Sequence, residues 1–324
     1  LKEAGACFGE KLGWERPNWF APAGVEAKDE HTYRRPNWFE HVGREHAAAR
    51  EAVALFDQTS FAKFSVTGAD ACAALSWVCA GDVDRPVGSL IYTQLLNARG
   101  GIECDLTVAR LAENEFYIVT GTGYATHDLH WIRRNLPAAL DVKIADVTSE
   151  RAVLGVQGPL ARTLLSELTS ADLSNEAFPF LTTQELELAG VRVRALRVTF
   201  VGELGWELHI PVDGARAVYA ALKEAGAPHG LLDAGYRATE SLRLEKGYRI
   251  WGRDITPDSS PIEAGLAFAT KLSSETPFLG RDALLAEKQA GLPKKRLATF
   301  KVADPDCILL GRETIYRDGE LAGY

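Results

Sequence analysis

The 324-residue sequence contains no methionine and no long apolar run. Because it also begins with Leu1, we expect either a fragment of a longer protein or a sequence from which the methionines are missing. No stretch approaches the roughly 18 apolar residues of a membrane-spanning helix, and no signal or transit peptide is visible. The hydrophobic share of 46% and the charged share of 25% are typical of globular proteins and argue against disorder or a coiled coil.

Cysteine is scarce, and the positions do not form a pattern. The five cysteines are odd in number and never spaced as CxxC, which argues against a disulfide framework and a zinc site. They indicate a reducing compartment, so we expect a cytoplasmic protein, or a mitochondrial matrix protein if the source is eukaryotic. The net charge of −8 argues against non-specific nucleic-acid binding, which needs clustered Lys and Arg.

Common catalytic motifs are also missing. There is no G-x-S-x-G, P-loop or H-E-x-x-H, so hydrolase, kinase and metalloprotease functions lack support. The stretch "GTG" at 121–123 resembles a dinucleotide fingerprint, but Thr126 stands where Gly or Ala is needed. We predict a tight turn there. His127 and His130 are three apart on the following helix, yet no third ligand is nearby, so no metal is expected.

A short pattern occurs three times along the chain. Val66, Val156 and Val212 each begin V-x-G-x-x-A, with an apolar strand pattern before it and a helical pattern after it. Between the first two, three short strand patterns separated by turns predict an antiparallel meander. A helix is predicted to end near Asp57, another to run from about Gly235 to Gly247, and β-structure to begin at 295. The sequence therefore predicts an α+β fold of repeated strand–helix modules with antiparallel sheets.

Two acids lie within predicted strands. Asp105 shares one face of its strand with Glu103 and Thr107, behind the pair Gly100 and Gly101. The glycines allow a backbone or a ligand to approach closely, but an ordinary solvent-exposed Asp explains the spacing equally well. Glu207 alternates with apolar neighbours, and this spacing alone favours a solvent-exposed Glu. The residues alone leave both functions open.

Several ordered motifs resemble the folate-binding fold of the glycine cleavage T-protein: "LFDQTSFAKFSVTGADA", "LLNARGGIECDLTV", "FVGELGWELHI", "ESLRLEKGYRIWGRDI" and "SPIEAGLAF". The opening "AGACFGEKLGWERPNWF" is similar to the start of the folate domain in dimethylglycine and sarcosine dehydrogenases, which follows a flavin domain. The resemblance implies modules around a central folate pocket, followed by a C-terminal β-barrel. It implies a connector at 1–40, a folate-binding region at 41–292 and the first barrel strands at 293–324.

The resemblance also implies roles for individual residues. Asp105 matches the catalytic aspartate beside the nucleophilic nitrogens of tetrahydrofolate, and Glu207 matches the acid that binds the amine edge of the pterin. Tyr92, Phe200 and Phe268 fall on cofactor-binding positions that line the pocket, Phe200 where T-proteins tend to have Tyr.

Two departures concern other ligand-contacting positions of the T-protein. Gly121 stands in place of an Asn and Thr239 in place of an Arg. Both differences put the T-protein's own reaction in doubt.

The implied function is capture of a methylene group, released as iminium or formaldehyde from a methylated amine, to give 5,10-methylenetetrahydrofolate. The implied cofactor is tetrahydrofolate, with FAD only in a separate or missing domain or subunit that is the partner. We expect the repeated "RPNWF", with Trp19 and Trp38, to contact that partner. The alternatives are a free-standing aminomethyltransferase and a non-catalytic folate-binding or scaffold module.

Overall fold

The computed structural model describes residues 1–324, and the chain begins with a β-hairpin and a helix. These are β1 (Ala6–Lys11), β2 (Trp14–Phe20) and α1 (Phe39–Glu51), followed by β3 (Ala54–Asp57). The prediction that the first helix ends near Asp57 is wrong, because the helix ends at Glu51 and residues 54–57 form a largely buried strand. A short apolar run of this kind fits a buried strand as well as a buried helix.

A five-stranded antiparallel sheet follows, and it carries the predicted meander. Its spatial order is β5-β6-β7-β4-β8. The strands are β4 (Ala62–Thr67), β5 (Leu90–Leu96), β6 (Ile102–Ala112), β7 (Glu115–Thr120) and β8 (Lys143–Asp146). Two helices pack on one face, α2 (Ala71–Val78) and α3 (Ala125–Asn135). Because β7 lies inside an antiparallel sheet, the turn after it does not open a dinucleotide-binding βαβ unit.

The second sheet has six strands in the order β10-β11-β12-β9-β3-β13. Its remaining strands are β9 (Arg151–Gln157), β10 (Thr183–Leu188), β11 (Val191–Leu196), β12 (Gly205–Pro211) and β13 (Leu232–Ala234). All pairs are antiparallel except β13 with β3. One face is covered by α4 (Ala161–Leu168) and α5 (Ala215–Gly226). Two further α-helices and a hairpin follow: α6 (Tyr236–Glu245), α7 (Arg281–Gln289) and the hairpin of β14 (Ile315–Arg317) with β15 (Glu320–Gly323).

The repeated V-x-G-x-x-A motif forms the predicted strand–turn–helix unit at all three places. In the first two copies, Gly68 and Gly158 have φ of 135° and 141°. A Cβ on either would lie within 2.5 Å of a backbone oxygen, of Asp141 or Ala52. Only glycine fits this conformation and this contact. The third glycine, Gly214, has an ordinary φ and packs on a side chain, so that copy repeats the topology without the strained turn.

The two sheets meet through the faces that the helices leave open, called the inner faces below. Leu196 of β11 packs with Ala109, Tyr117 and Val119 of the five-stranded sheet. The Tyr117 hydroxyl forms a 3.0 Å hydrogen bond with Nδ1 of His209 on β12. The outer faces hold the two largest apolar cores, so the inner faces are where polar groups from both sheets come together.

The predicted α+β class is confirmed. Residues 293–324 form only the small hairpin β14–β15 and no closed barrel. None of the helices has the length and apolarity needed to cross a membrane.

Candidate functional site

Asp105 lies in the middle of β6 on the inner face, half-buried and directly opposite Gln94 of β5. Nε2 of Gln94 donates a 2.9 Å hydrogen bond to Oδ1 of Asp105. Loss of hydration raises the pKa of Asp105 to about 6, although hydrogen bonds from Gln94 and Tyr92 oppose the shift; the charge of Asp128 adds to it. A carboxylate of this kind is ionised at neutral pH but binds a proton far more readily than an exposed Asp.

The pair of glycines before Asp105 admits a backbone segment. A Cβ on Gly101 would lie 1.9 Å from the carbonyl oxygen of Pro257. The next residue, Ile102, donates its N–H to the carbonyl of Ser259 at 3.0 Å. The predicted close approach is therefore confirmed, and the approaching group is the loop at 257–259, which fixes the start of β6.

The three aromatic candidates belong to two ring pairs. The rings of Tyr92 and Phe268 are 6.5 Å apart and tilted by 34°. Phe268 is 77% exposed, so one face of this pair is open to a ligand. Burial, with the neighbouring Asp105, raises the pKa of Tyr92 above its usual range, so its hydroxyl stays protonated. Phe200 stacks with Tyr248 at 6.0 Å, and the sequence analysis missed Tyr248.

Glu207 is buried, with 7% exposure, on the inner face of β12. The expectation from spacing alone, a solvent-exposed Glu, is wrong because the other sheet covers this face. Nε2 of Gln58 donates to Oε1 of Glu207 at 3.3 Å, and Nε2 of His209 lies 3.9 Å from Oε2. Burial lowers the pKa of His209, so its ring is neutral.

The two acids therefore occupy the inner faces of different sheets, and each has its own glutamine donor. Sequence reasoning missed both glutamines. The signal for Gln94 was the tight turn at 97–101, which sets the β5–β6 register and pairs it with Asp105. Gln58 gave no such signal, because it follows β3 and reaches Glu207 across 149 positions of sequence. Together the groups offer a proton acceptor, acceptors for ligand N–H groups and aromatic rings for stacking.

The predicted helix histidines do not act as a pair. Nδ1 of His127 is 2.8 Å from Oδ1 of Asp128, while His130 is outside this cluster. Ligand atoms of Cys104, His127 and Asp128 lie within 4.8 Å of one another. The carboxylate already accepts a 2.6 Å hydrogen bond from Thr120. Hydrogen bonding within the group thus accounts for this cluster.

Three other residues singled out in the sequence contact groups other than the two acids. Thr239 donates to the carbonyl of Gly235 within α6 at 3.4 Å. Trp19 is completely buried, and its Nε1 donates to Asp29 at 2.8 Å. It is therefore not accessible to a partner, contrary to expectation. The guanidinium of Arg237 covers the ring of Trp38, 3.7 Å from its centroid.

Comparison with known proteins gives a consistent result. The family model described as "GCVT N-terminal domain" matches residues 1–274. Human mitochondrial sarcosine dehydrogenase is 42% identical over 99% of this chain and 39% of its own length. Human mitochondrial dimethylglycine dehydrogenase is 38% identical over 99% and 37%. The chain thus spans about two fifths of the length of these curated relatives.

A solved structure supports the same assignment. The glycine cleavage system aminomethyltransferase T from Bartonella henselae has a TM-score of 0.74 and 29% identity. The match covers 90% of this chain and 73% of that one. With the family model matching well over half of its residues, the chain belongs to the GCVT N-terminal domain family.

Proposed function

We propose that this chain is a tetrahydrofolate-binding module that transfers one-carbon units within a sarcosine or dimethylglycine dehydrogenase-like protein. It captures the methylene group of a demethylated amine, as iminium or formaldehyde, to give 5,10-methylenetetrahydrofolate. The observation that carries the proposal is the placement of Asp105 and Glu207 on two sheet faces that meet. Membership of the GCVT family and similarity to the two dehydrogenases support it.

In the proposed reaction Asp105 accepts a proton. Two amine nitrogens of tetrahydrofolate bond to the one-carbon group in turn, and each must lose its hydrogen. With formaldehyde the carbonyl oxygen takes up two protons and leaves as water, and with the iminium the demethylated amine takes them up and leaves. A base with a pKa of about 6 is ionised at pH 7 and can later release the proton to solvent. Its negative charge also stabilises the cationic intermediate.

Glu207 binds and orients the substrate in this proposal. A buried carboxylate accepts two hydrogen bonds at once, which suits the amine edge of a pterin. Tyr92, Phe268 and Phe200 supply aromatic surface on which a planar ring stacks; the partner rings at 6.0–6.5 Å support this assignment.

The wider context is part of the proposal. We propose that a flavin-dependent amine-oxidising domain or subunit supplies the one-carbon group and holds the FAD. We retain the division into 1–40, 41–292 and 293–324 as a proposal. The mammalian relatives are named as mitochondrial, and we propose the matrix for a eukaryotic protein and the cytoplasm otherwise.

The direct test measures binding and catalysis with the unmodified chain. We expect calorimetry to give micromolar binding of tetrahydrofolate, and stopped-flow absorbance to show faster consumption of formaldehyde than in the same solution without protein. Binding without acceleration would favour a non-catalytic folate-binding module. Absence of both in a folded chain would contradict the proposal.

A further inference from the structure

We propose that Gln94 and Gln58 are the positioning residues of the two acids: Gln94 holds Asp105 for proton transfer, and Gln58 holds Glu207 for substrate binding. The inference rests on the proposed function and gives a positioning role to two residues outside the predicted site. It starts from a shared feature, a buried amide whose nitrogen is bound to a carboxylate and whose oxygen has no partner.

Gln94 has 0% exposure, and its Oε1 has no hydrogen-bond partner. An unpaired buried polar atom costs free energy, and the hydrogen bond from Nε2 to Asp105 offsets part of that cost. The bond to Asp105 fixes the amide orientation, because an ionised carboxylate only accepts hydrogen bonds. Gln94 therefore stabilises the charged form of Asp105 and keeps it available as a base.

The free oxygen of Gln94 has a use after proton transfer. A protonated Asp105 carries an O–H donor. Rotation of the Gln94 amide by 180° would present Oε1 to that donor. The same side chain can thus hydrogen-bond Asp105 before and after it takes the proton, which neither a hydrophobic residue nor a fixed cation can do.

Gln58 occupies a space kept open by a glycine. It has 7% exposure, and a Cβ on Gly155 would lie 2.6 Å from its Oε1. Gly155 is also the cross-strand neighbour of Glu207. Gln58 therefore fills the space between β9 and Glu207. Its Nε2 binds Oε1 of Glu207, and Oε2 of Glu207 lies 3.9 Å from Nε2 of His209.

A third buried glutamine provides a matched control. Gln157 has 2% exposure and an unpaired Oε1, but its Nε2 donates to the backbone carbonyl of Val198 at 3.2 Å. Gln157→Leu thus removes an amide of similar burial that hydrogen-bonds neither acid.

The first experiment follows the carboxyl ¹³C signal of Asp105 by NMR in the ligand-free chain between pH 4 and 8, assigned by its loss in Asp105→Asn. In Gln94→Leu we expect its pKa to rise by about 1, since a donor to the charged form is lost. Gln58→Leu and Gln157→Leu should leave the titration unchanged. If Gln94→Leu does not fold, Gln94→Asn is used instead, because its shorter side chain cannot place the amide within hydrogen-bond distance of Asp105. An unchanged titration in the folded variant would overturn the role of Gln94.

The second experiment measures tetrahydrofolate affinity by calorimetry in the same variants. We expect Gln58→Leu to weaken binding by about tenfold with an unchanged pH profile of formaldehyde capture, and Gln157→Leu to bind normally. Equal affinity in Gln58→Leu and Gln157→Leu would overturn the role of Gln58. If the unmodified chain itself binds no tetrahydrofolate, the proposed function fails, while the NMR titration still decides the role of Gln94.

Discussion

The two sheets hold their acids in different ways. Each places one acid on its inner face beside a buried glutamine, but Asp105 is half-buried and Glu207 is almost fully enclosed. Around Asp105, backbone holds the strand, through the contact of Gly101 with Pro257. Around Glu207, the side chains of Gln58 and His209 surround the carboxylate instead. An acid that exchanges a proton needs access and a tuned pKa, whereas an acid that only accepts hydrogen bonds benefits from a fixed, enclosed position.

The largest difference between the two acids should appear in the rate of catalysis. Asp105→Asn is expected to slow formaldehyde capture by about 100- to 10,000-fold, because it removes the proton acceptor. Affinity for tetrahydrofolate should change by no more than a few-fold. Stopped-flow rates at saturating folate measure the first effect and calorimetry the second. Retained acceleration in Asp105→Asn would place the chemistry elsewhere.

The acid of the six-stranded sheet should affect binding instead. Glu207→Gln is expected to weaken tetrahydrofolate binding by roughly 10- to 150-fold, as hydrogen bonds to a charged group contribute about 1.5–3 kcal/mol. At saturating folate, capture should stay near that of the unmodified chain. A variant that binds normally but reacts slowly would reverse the two roles.

A pH series sharpens the comparison further. Asp105 has a folded pKa of about 6 against an unfolded value of 3.8. The folded state therefore binds this proton more tightly, and the contribution of Asp105 to stability falls as pH rises from about 4 to about 6. Asp105→Asn lacks this penalty, so its free energy of unfolding relative to the unmodified chain should rise by about 1–3 kcal/mol between pH 4 and 7. Urea unfolding at both pH values measures it; a constant difference would contradict the raised pKa.

Substitutions of the glycines beside the two acids, Gly101 and Gly155, should also differ in their effects on stability and folate binding, and these effects should be smaller. In Gly101→Ala the Cβ meets the Pro257 backbone, so we expect a loss of about 1–3 kcal/mol of stability. In Gly155→Ala the close contact is with the end of the Gln58 side chain, which can move, so we expect weaker folate binding with little loss of stability. The control is Gly43→Ala, where a Cβ meets nothing within 4 Å and a helix gains slightly. Urea unfolding and calorimetry compare them, and equal stability losses in the first two would remove the distinction.

Much of the fold was predictable, because it depends on local patterns. The V-x-G-x-x-A motif predicted three strand–turn–helix units, and short turns predicted the meander. The errors concern a short apolar segment and a side chain that distant parts of the chain bury. The run at 54–57 fits a helix as well as a strand, because four residues show no clear period. The expected contact of Trp19 with a partner is wrong, because the chain's own residues enclose this side chain.

The sequence by itself determined where Asp105 sits in its strand and that glycines before it admit a close neighbour. Resemblance to the T-protein added Glu207 and the aromatic positions. Only the tertiary structure decided that the face of Glu207 is buried and that Gln58 and Gln94 bind the acids. The physical reason is that alternation assigns a side chain to one face of a strand, whereas the packing of two distant sheets decides whether that face meets water or another polar group.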